Sequence, residues 1–332
     1  MCLSQWLLQF IIFQSEMAEH ERVLISQIAS IIGEECEDDC AIIPPPSGEF
    51  VISTDMLHET TDFPKGMTNW QIGWMSAAVT ISDLAAMGSI PKYLLLAIGT
   101  DNPDRVMDIV RGAHDCCTRY GVRYIGGDLD AHTECTIVST GIGEVACGSA
   151  VRRGGARIGD RIGIVGIPGR AEAGLLGCSE FLEHLLEPKP LVAEGQALFH
   201  AGATAMMDIS DGLMISLSDL AEASSVACKI VLDLIPQISS TSLSPEQCRD
   251  LAWYGGGDYG LLFTISPSHI DKIEKMYAKE VFLIGEVCPG EGVVSSSGDQ
   301  IHIRGYSHFS SRPRHAASRR KDPLLLSSEG SK

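Results

Sequence analysis

The sequence predicts an α/β protein with α+β character, built as two domains. Stretches of helical apolar spacing alternate with short apolar runs through both halves of the chain, and such alternation marks mixed helix–sheet architectures. A polar, glycine-rich break, Arg152-Arg153-Gly154-Gly155-Ala156-Arg157-Ile158-Gly159-Asp160, separates the halves. With 332 residues, 45% of them hydrophobic, the chain can furnish two cores. The expected layout is an apolar N-terminal extension over 1–18, a first domain over 19–150, a second over 151–310 and a disordered basic tail over 311–332.

Met1 to Phe13 is apolar but lacks the basic flank and small-residue cleavage site of a secretory signal, and it is too short to span a bilayer. It reads as an added segment, or as sequence upstream of a start at Met17. Residues 19–32 set Val23, Leu24, Ile28, Ile31 and Ile32 at helical spacing, closed by Gly33. Strands are expected over 40–43 and 50–53 around a Pro-Pro-Pro-Ser-Gly turn, the second delivering Asp55 at its end. Trp70 to Met87 is rich in small residues and ends at Gly88, which predicts a closely packed buried helix carrying Asp83. A strand over 93–98 precedes a helix opened by Pro103, with Val106, Ile109, Val110 and Ala113 on one face. A strand over 122–125 runs into a Gly126-Gly127-Asp128 turn, and another covers 136–145. In the second half, strands near 161–165, 204–207, 229–234, 260–265 and 281–287 alternate with helices near 171–186, 191–201, 212–223 and 245–253.

A formal charge of -18 and a pI near 4.9 argue against nucleic acid or an anionic membrane as partner, because phosphate backbones are gripped by clustered Lys and Arg. An anionic ligand here needs cations as intermediaries. The eleven cysteines form no C-x-x-C and no Cys/His set at zinc spacing, so they read as reduced core residues of a cytoplasmic protein. No nucleophile elbow, catalytic-cysteine signature or partnered histidine is present, which leaves hydrolase chemistry without a nucleophile.

Three separated stretches supply the chemistry instead: Ser53-Thr54-Asp55, Ile81-Ser82-Asp83 and Asp208-Ile209-Ser210-Asp211-Gly212. Each sets an aspartate beside a hydroxyl residue. A single such pair is an ordinary cap or turn, but several together suit magnesium, which prefers carboxylate oxygen, keeps some waters and shares its shell with substrate phosphates. The repeat of Ile-Ser-Asp at 81–83 and 209–211 suggests two related sites facing one another. Gly126-Gly127-Asp128 and Gly255-Gly256-Gly257-Asp258 each add a flexible turn with a carboxylate, allowing backbone N–H groups to approach phosphate while the acid holds a cation. Gly166-Ile167-Pro168-Gly169 lacks the remaining elements of a dinucleotide fingerprint, and there is no G-x-x-x-x-G-K-[ST].

The order of these motifs, with Asp38-Asp39-Cys40-Ala41 ahead of them and Ala77-Ala78-Val79-Thr80-Ile81-Ser82-Asp83-Leu84-Ala85-Ala86-Met87-Gly88 as the most specific piece, resembles the thiamine-monophosphate kinases over about residues 20–310. That resemblance implies a two-domain aminoimidazole-ribonucleotide synthetase-like fold, with an N-terminal mixed α/β domain forming a homodimer and a C-terminal α/β domain. It implies ATP as co-substrate, several Mg2+ ions and thiamine monophosphate as acceptor. Matching positions make Asp39, Ser53, Thr54, Asp55, Asp83, Asp128, Asp208 and Asp211 the metal set, with Asp55, Asp208 and Asp211 nearest the chemistry. Tyr120, Gly126, Gly127, Arg153 and Ser210 fall at ATP-binding positions, and Asp62, Gly257 and Tyr306 at acceptor positions. Asp62 stands where the family has His, Gly257 and Gly260 where it has Glu, and Thr80 where Asn is usual. The alternatives are a sister ATP-dependent enzyme of the same fold acting on another phosphate, amide or carbamoyl substrate, and a non-catalytic nucleotide-binding homologue.

Overall fold

The computed structural model describes residues 49–145, 148–273 and 280–305, together with Gln27 and Ile31, which are helical. The expectations for the N-terminal extension, the strand over 40–43, Asp39, Tyr306 and the tail lie outside these residues.

The first lobe comprises β1 (Glu49–His58), α1 (Asn69–Ala86), β2 (Ile90–Gly99), α2 (Val106–Tyr120), β3 (Arg123–Asp130) and β4 (Thr136–Val145). Its sheet has the order β1-β4-β2-β3, with β2 and β3 parallel and the other pairs antiparallel. Thr68 starts α1 with a reciprocal cap, accepting from the Gln71 N–H while the Gln71 side chain accepts from the Thr68 N–H. Nearly every residue from Ile72 to Ala86 is buried, because α2 covers one side of the helix and the sheet another. Gly73 and Gly112 make that contact possible. A Cβ on Gly73 would lie 1.8 Å from the Ile109 carbonyl oxygen, and one on Gly112 would lie 1.8 Å from that of Trp70. The two helices therefore cross backbone to backbone.

Strand alternation divides β1 between two environments. Leu57 packs into the core beneath the helices, and Val51, Ser53 and Asp55 share its face. Phe50, Ile52, Thr54 and Met56 face away, with Phe50, Ile52 and Met56 exposed to 44%, 66% and 56%.

The second lobe contains β5 (Arg161–Val165), α3 (Arg170–Leu175), α4 (Leu182–Leu186), α5 (Val192–Ala201), β6 (Ala203–Ile209), α6 (Leu213–Ser224), β7 (Ala227–Ile230), α7 (Pro245–Tyr254), β8 (Gly260–Ile265), α8 (Ile270–Ile273), β9 (Val281–Cys288) and β10 (Gly292–Ser295). The sheet order is β10-β7-β9-β5-β8-β6, antiparallel except between β10 and β7, which is the α+β pattern. Ala86 of α1 joins a core with Leu198, Met206 and Phe263 of this lobe, so α1 belongs to both cores.

Several boundaries differ from expectation. Asp55 lies inside β1, because that strand continues to His58 along β4. Gly126, Gly127 and Asp128 lie within β3 rather than in a turn. The strand accommodates them with a register shift opposite Leu94 and Leu95 and with Gly126 at φ 140. The helix expected over 171–186 breaks after Leu175, where Gly177 takes φ 98. The strand expected over 229–234 leaves its ladder after Ile230 and turns through a short 3-10 segment, Leu232–Leu234. The described cysteines are free, and all but Cys288 are buried.

Candidate active site

The middle of α1 presents three polar side chains to three neighbours. Thr80 Oγ1 donates to Asp55 Oδ2 at 2.6 Å and lies 2.5 Å from Ser139 Oγ on β4. Asp83 Oδ2 accepts from Ser53 Oγ of β1 at 2.5 Å. Ser82 Oγ donates to Asp208 Oδ2 at 3.0 Å, across to the end of β6. Ser82 of the first Ile-Ser-Asp motif thus bonds to the residue that precedes the second. Close seating of α1 on the sheet depends on Gly141, where a Cβ would come 2.7 Å from Thr80 Cγ2 and 2.9 Å from Leu84 Cδ1.

A cleft of about 600 Å³ opens beside this cluster, lined among others by Ser53, Asp83, Arg152, Arg153, Met206 and Asp208. Burial pushes the Asp55 carboxyl up to about 6, and the nearby Asp83 charge adds to the shift against the Thr80 hydrogen bond. Burial also raises Asp83, opposed by its bond from Ser53 and by the Arg153 charge. Asp208 is 4% exposed; burial raises it, with further upward pressure from Asp83 and Asp55. Asp83 and Asp208, one from each lobe, line the cleft, and the Asp55 charge adds to the repulsion between them. Such a set is relieved by a cation or by protons.

Arg153 stands exposed at the start of a short 3-10 turn, its carbonyl held by Ser224 Oγ at 3.0 Å, and its charge acts on Asp83, Asp208 and Asp219. The loop before β8 lies along the Asp208–Gly212 segment, where the Gly257 N–H donates to the Ser210 carbonyl at 2.7 Å and the Tyr259 N–H to that of Ile209 at 3.1 Å. The backbone of Asp211 lies against the same loop, where a Cβ on Gly256 would come 3.5 Å from the Asp211 Cα. Asp62 Oδ2 accepts from the His58 N–H at 2.7 Å and from Thr61 Oγ1 at 2.8 Å, which fixes the turn after β1. A Cβ on Gly305 would touch the Asp211 carbonyl at 2.8 Å, so Gly305 packs closely against the backbone of Asp211.

Other expected site residues stand apart. Thr54 points to the opposite face of β1, with its hydroxyl 3.0 Å from Thr140 Oγ1. Asp128 aligns through Ala97 and Val138 with Met56, while Asp55 aligns through Ser139 and Leu96 with Gly127. Asp128 therefore lies at the far edge of the sheet and on its outer face, away from Asp55. Tyr120 ends α2, its hydroxyl pushed up to about 12 chiefly by burial and facing Arg119 and Glu194. It does not line the cleft.

Asp258 holds no position for a cation. Its carboxylate accepts from the Gly169 N–H at 2.6 Å and the Ala171 N–H at 2.8 Å, filling the N-terminus of α3 that the Gly166-Ile167-Pro168-Gly169 turn leaves open. Burial nevertheless pushes it up to about 6 against both bonds.

Among the described residues, no three His, Cys, Asp or Glu side chains stand close enough together to hold a metal ion by themselves. The clustered donors are all oxygen and leave positions for water and phosphate, a set that fits magnesium better than zinc. Sequence reasoning named Thr80 only as a departure from the family pattern and missed Ser139; the two are brought together by the seating of α1 on β1 and β4, which local spacing does not encode.

Comparisons with known proteins identify the family and the fold. The AIR synthase related protein N-terminal domain matches residues 37–145 and the corresponding C-terminal domain matches 159–298. A thiamine-monophosphate kinase of Methanospirillum hungatei is 50% identical over 293 residues, covering 87% of this chain and 99% of that protein. The crystal structure of thiamine-monophosphate kinase from Stenotrophomonas maltophilia superposes with a TM-score of 0.73 at 31% identity, covering 80% of this chain and 90% of that one. The structure of AaThiL complexed with AMPPCP and TMP superposes with a TM-score of 0.72 at 27% identity, covering 86% of this chain and 96% of that one. Carried on two AIR synthase related domains and on half-identity along almost the whole of a relative, this chain belongs to the thiamine-monophosphate kinase family.

Proposed function

We propose that the protein transfers the γ-phosphoryl group of ATP to thiamine monophosphate, forming thiamine diphosphate and ADP. The observation that carries this reading is the cleft lined by Asp83 and Asp208, one from each lobe, with Arg153 at its side and Asp55 held by the same helix through Thr80. A phosphate monoester is already largely ionised near neutral pH, so attack on ATP needs no general base. The absence of histidine from the residues lining the described cleft accords with that chemistry. Catalysis then rests on alignment and charge neutralisation.

Asp55, Asp83, Asp208 and Asp211 with Ser53 would hold magnesium, and Asp39, Thr54 and Asp128 complete the set that motif matching assigns. When bound, magnesium supplies charge neutralisation on the transferred phosphoryl group. Arg153, Ser210, Tyr120, Gly126 and Gly127 are assigned to ATP. Asp62, Gly257 and Tyr306 are assigned to the acceptor. The hydroxyls of Ser53, Thr80 and Ser82 fix the carboxylate rotamers, so the charged oxygens are aimed before substrate arrives.

We place the domain boundary between 150 and 151, and read the protein as a cytoplasmic homodimer. The dimer reading is supported by the outer face of the first sheet, where Phe50, Ile52 and Met56 form an uncovered apolar strip. No helix among the described residues is long and apolar enough to cross a membrane.

The test is incubation of the purified protein with Mg-ATP and thiamine monophosphate, following thiamine diphosphate by chromatography. Product formation that requires both substrates and magnesium is expected. Tight ATP binding without product would overturn the reading.

A further inference from the structure

A second cavity, of about 450 Å³, is walled by the segment that joins the lobes and by the start of β6, with Ser149, Arg152, Arg157, Thr204, Ser266 and His269 among its lining residues. Thr204 begins the strand that ends beside Asp208, so this cavity and the active cleft lie toward opposite ends of β6. Every ionisable side chain in its wall is basic, although the chain as a whole carries a formal charge of -18. Among the described residues neither Arg152 nor Arg157 is tied into an ion pair. Glu49 lines the active cleft instead and accepts from the Ala150 N–H at 2.9 Å. The buried Asp160 behind Thr204 is already held by the Thr204 hydroxyl at 2.6 Å and the Arg157 N–H at 2.9 Å. The wall therefore offers positive charge without a carboxylate of its own.

His269 adds an independent observation. Its Nδ1 is buried and has no hydrogen-bond partner among the described residues. The ring is seated against Gly202, at φ 91, where a Cβ would come 2.8 Å from that nitrogen. A buried polar atom left alone costs about 1–3 kcal/mol, and in native proteins such atoms are commonly answered by water or an ion. Donors reach the cavity from three stretches of chain: the joining segment, the start of β6 and residues 266–269. That spread suits a tetrahedral oxyanion, which accepts from several directions, and guanidinium groups match phosphate oxygens in pairs.

We propose that this cavity is a second anion site, taking a phosphate group, free or on a small organic ester, between Arg152, Arg157 and His269. The active cleft needs cations to hold an anion, and this wall does not. The inference is independent of the kinase reading.

The test is calorimetric titration of orthophosphate into the protein in EDTA at low ionic strength, where Asp83 and Asp208, stripped of cations, turn phosphate away from the active cleft. Saturable binding is expected, weakened about tenfold or more in Arg157→Gln, the range for losing a hydrogen bond to a charged group. That substitution keeps the backbone N–H that holds Asp160. Arg249→Gln, which removes an exposed arginine outside the cavity, should bind as the wild type does. Tighter binding of glycerol 2-phosphate than of orthophosphate would mark an organic ester as the ligand, and weaker binding the free ion. The proposal is overturned by an absence of saturable binding, by unchanged affinity in Arg157→Gln, or by an equal fall in Arg249→Gln. A larger loss in Arg153→Gln than in Arg157→Gln would overturn it too, because the phosphate would then sit in the active cleft.

Discussion

Asp208 concentrates the energetic tension of the site in one side chain: a carboxylate that is 4% exposed, near two others, with the Ser82 hydroxyl as its neutral partner. Removing its charge relieves the fold and disarms the chemistry. Asp208→Asn is expected to lower Mg-ATP-dependent turnover by about 100-fold or more while the melting temperature without magnesium holds or rises. Turnover at the wild-type level would remove Asp208 from the metal set. Asp258 gives the pH signature of a different role. Its folded carboxyl is raised from 3.8 to about 6, so folding favours the protonated form. The stability it contributes is complete at low pH and is lost as pH rises through about 6. The wild-type melting temperature should therefore fall relative to that of Asp258→Asn between pH 4 and pH 7, read by calorimetry at each pH. A shift in the opposite direction would mean that the two backbone bonds outweigh burial.

At the scale of elements, α1 is the organising piece, and its seating depends on glycine. Gly73→Ala would drive a methyl group into the Ile109 carbonyl, 1.8 Å away in the present packing. A loss of about 1–3 kcal/mol on unfolding in urea is expected, because the neighbour is backbone and cannot rotate aside. An unchanged midpoint would show that the two helices can separate cheaply. Much of this element level was legible in the sequence. Small residues from Ala77 to Ala86 announced a tightly packed helix, and Gly121 and Pro103 marked the ends of the next helical segment. The Ile-Ser-Asp repeat suggested facing motifs, and the one bond across the lobes from the first of them goes to Asp208, just ahead of the second. Glycine misled where it serves a strand: Gly126 and Gly127 sit inside β3, and Gly257 and Asp258 secure a loop and a helix end. Which face of the sheet Asp128 or Thr54 occupies is decided by register, a long-range quantity that local spacing does not encode.

For the whole molecule, the outer face of the first sheet remains to be covered. Ile52, exposed to 66%, lies at the centre of the uncovered part of β1. Ile52→Glu is expected to convert a dimer to monomer in sedimentation velocity and to reduce turnover with it, since Asp128 lies on the same face. A wild-type protein that sediments as a monomer at micromolar concentration would remove this basis for the dimer. The shared helix has a further mechanical meaning. One rod forms a wall of each lobe and also carries the oxygen contacts that aim the acids, so rocking of the halves must be felt first at residues 80–83. A nucleotide that clamps the cleft should accordingly slow amide exchange along the buried length of that rod, including turns it never touches.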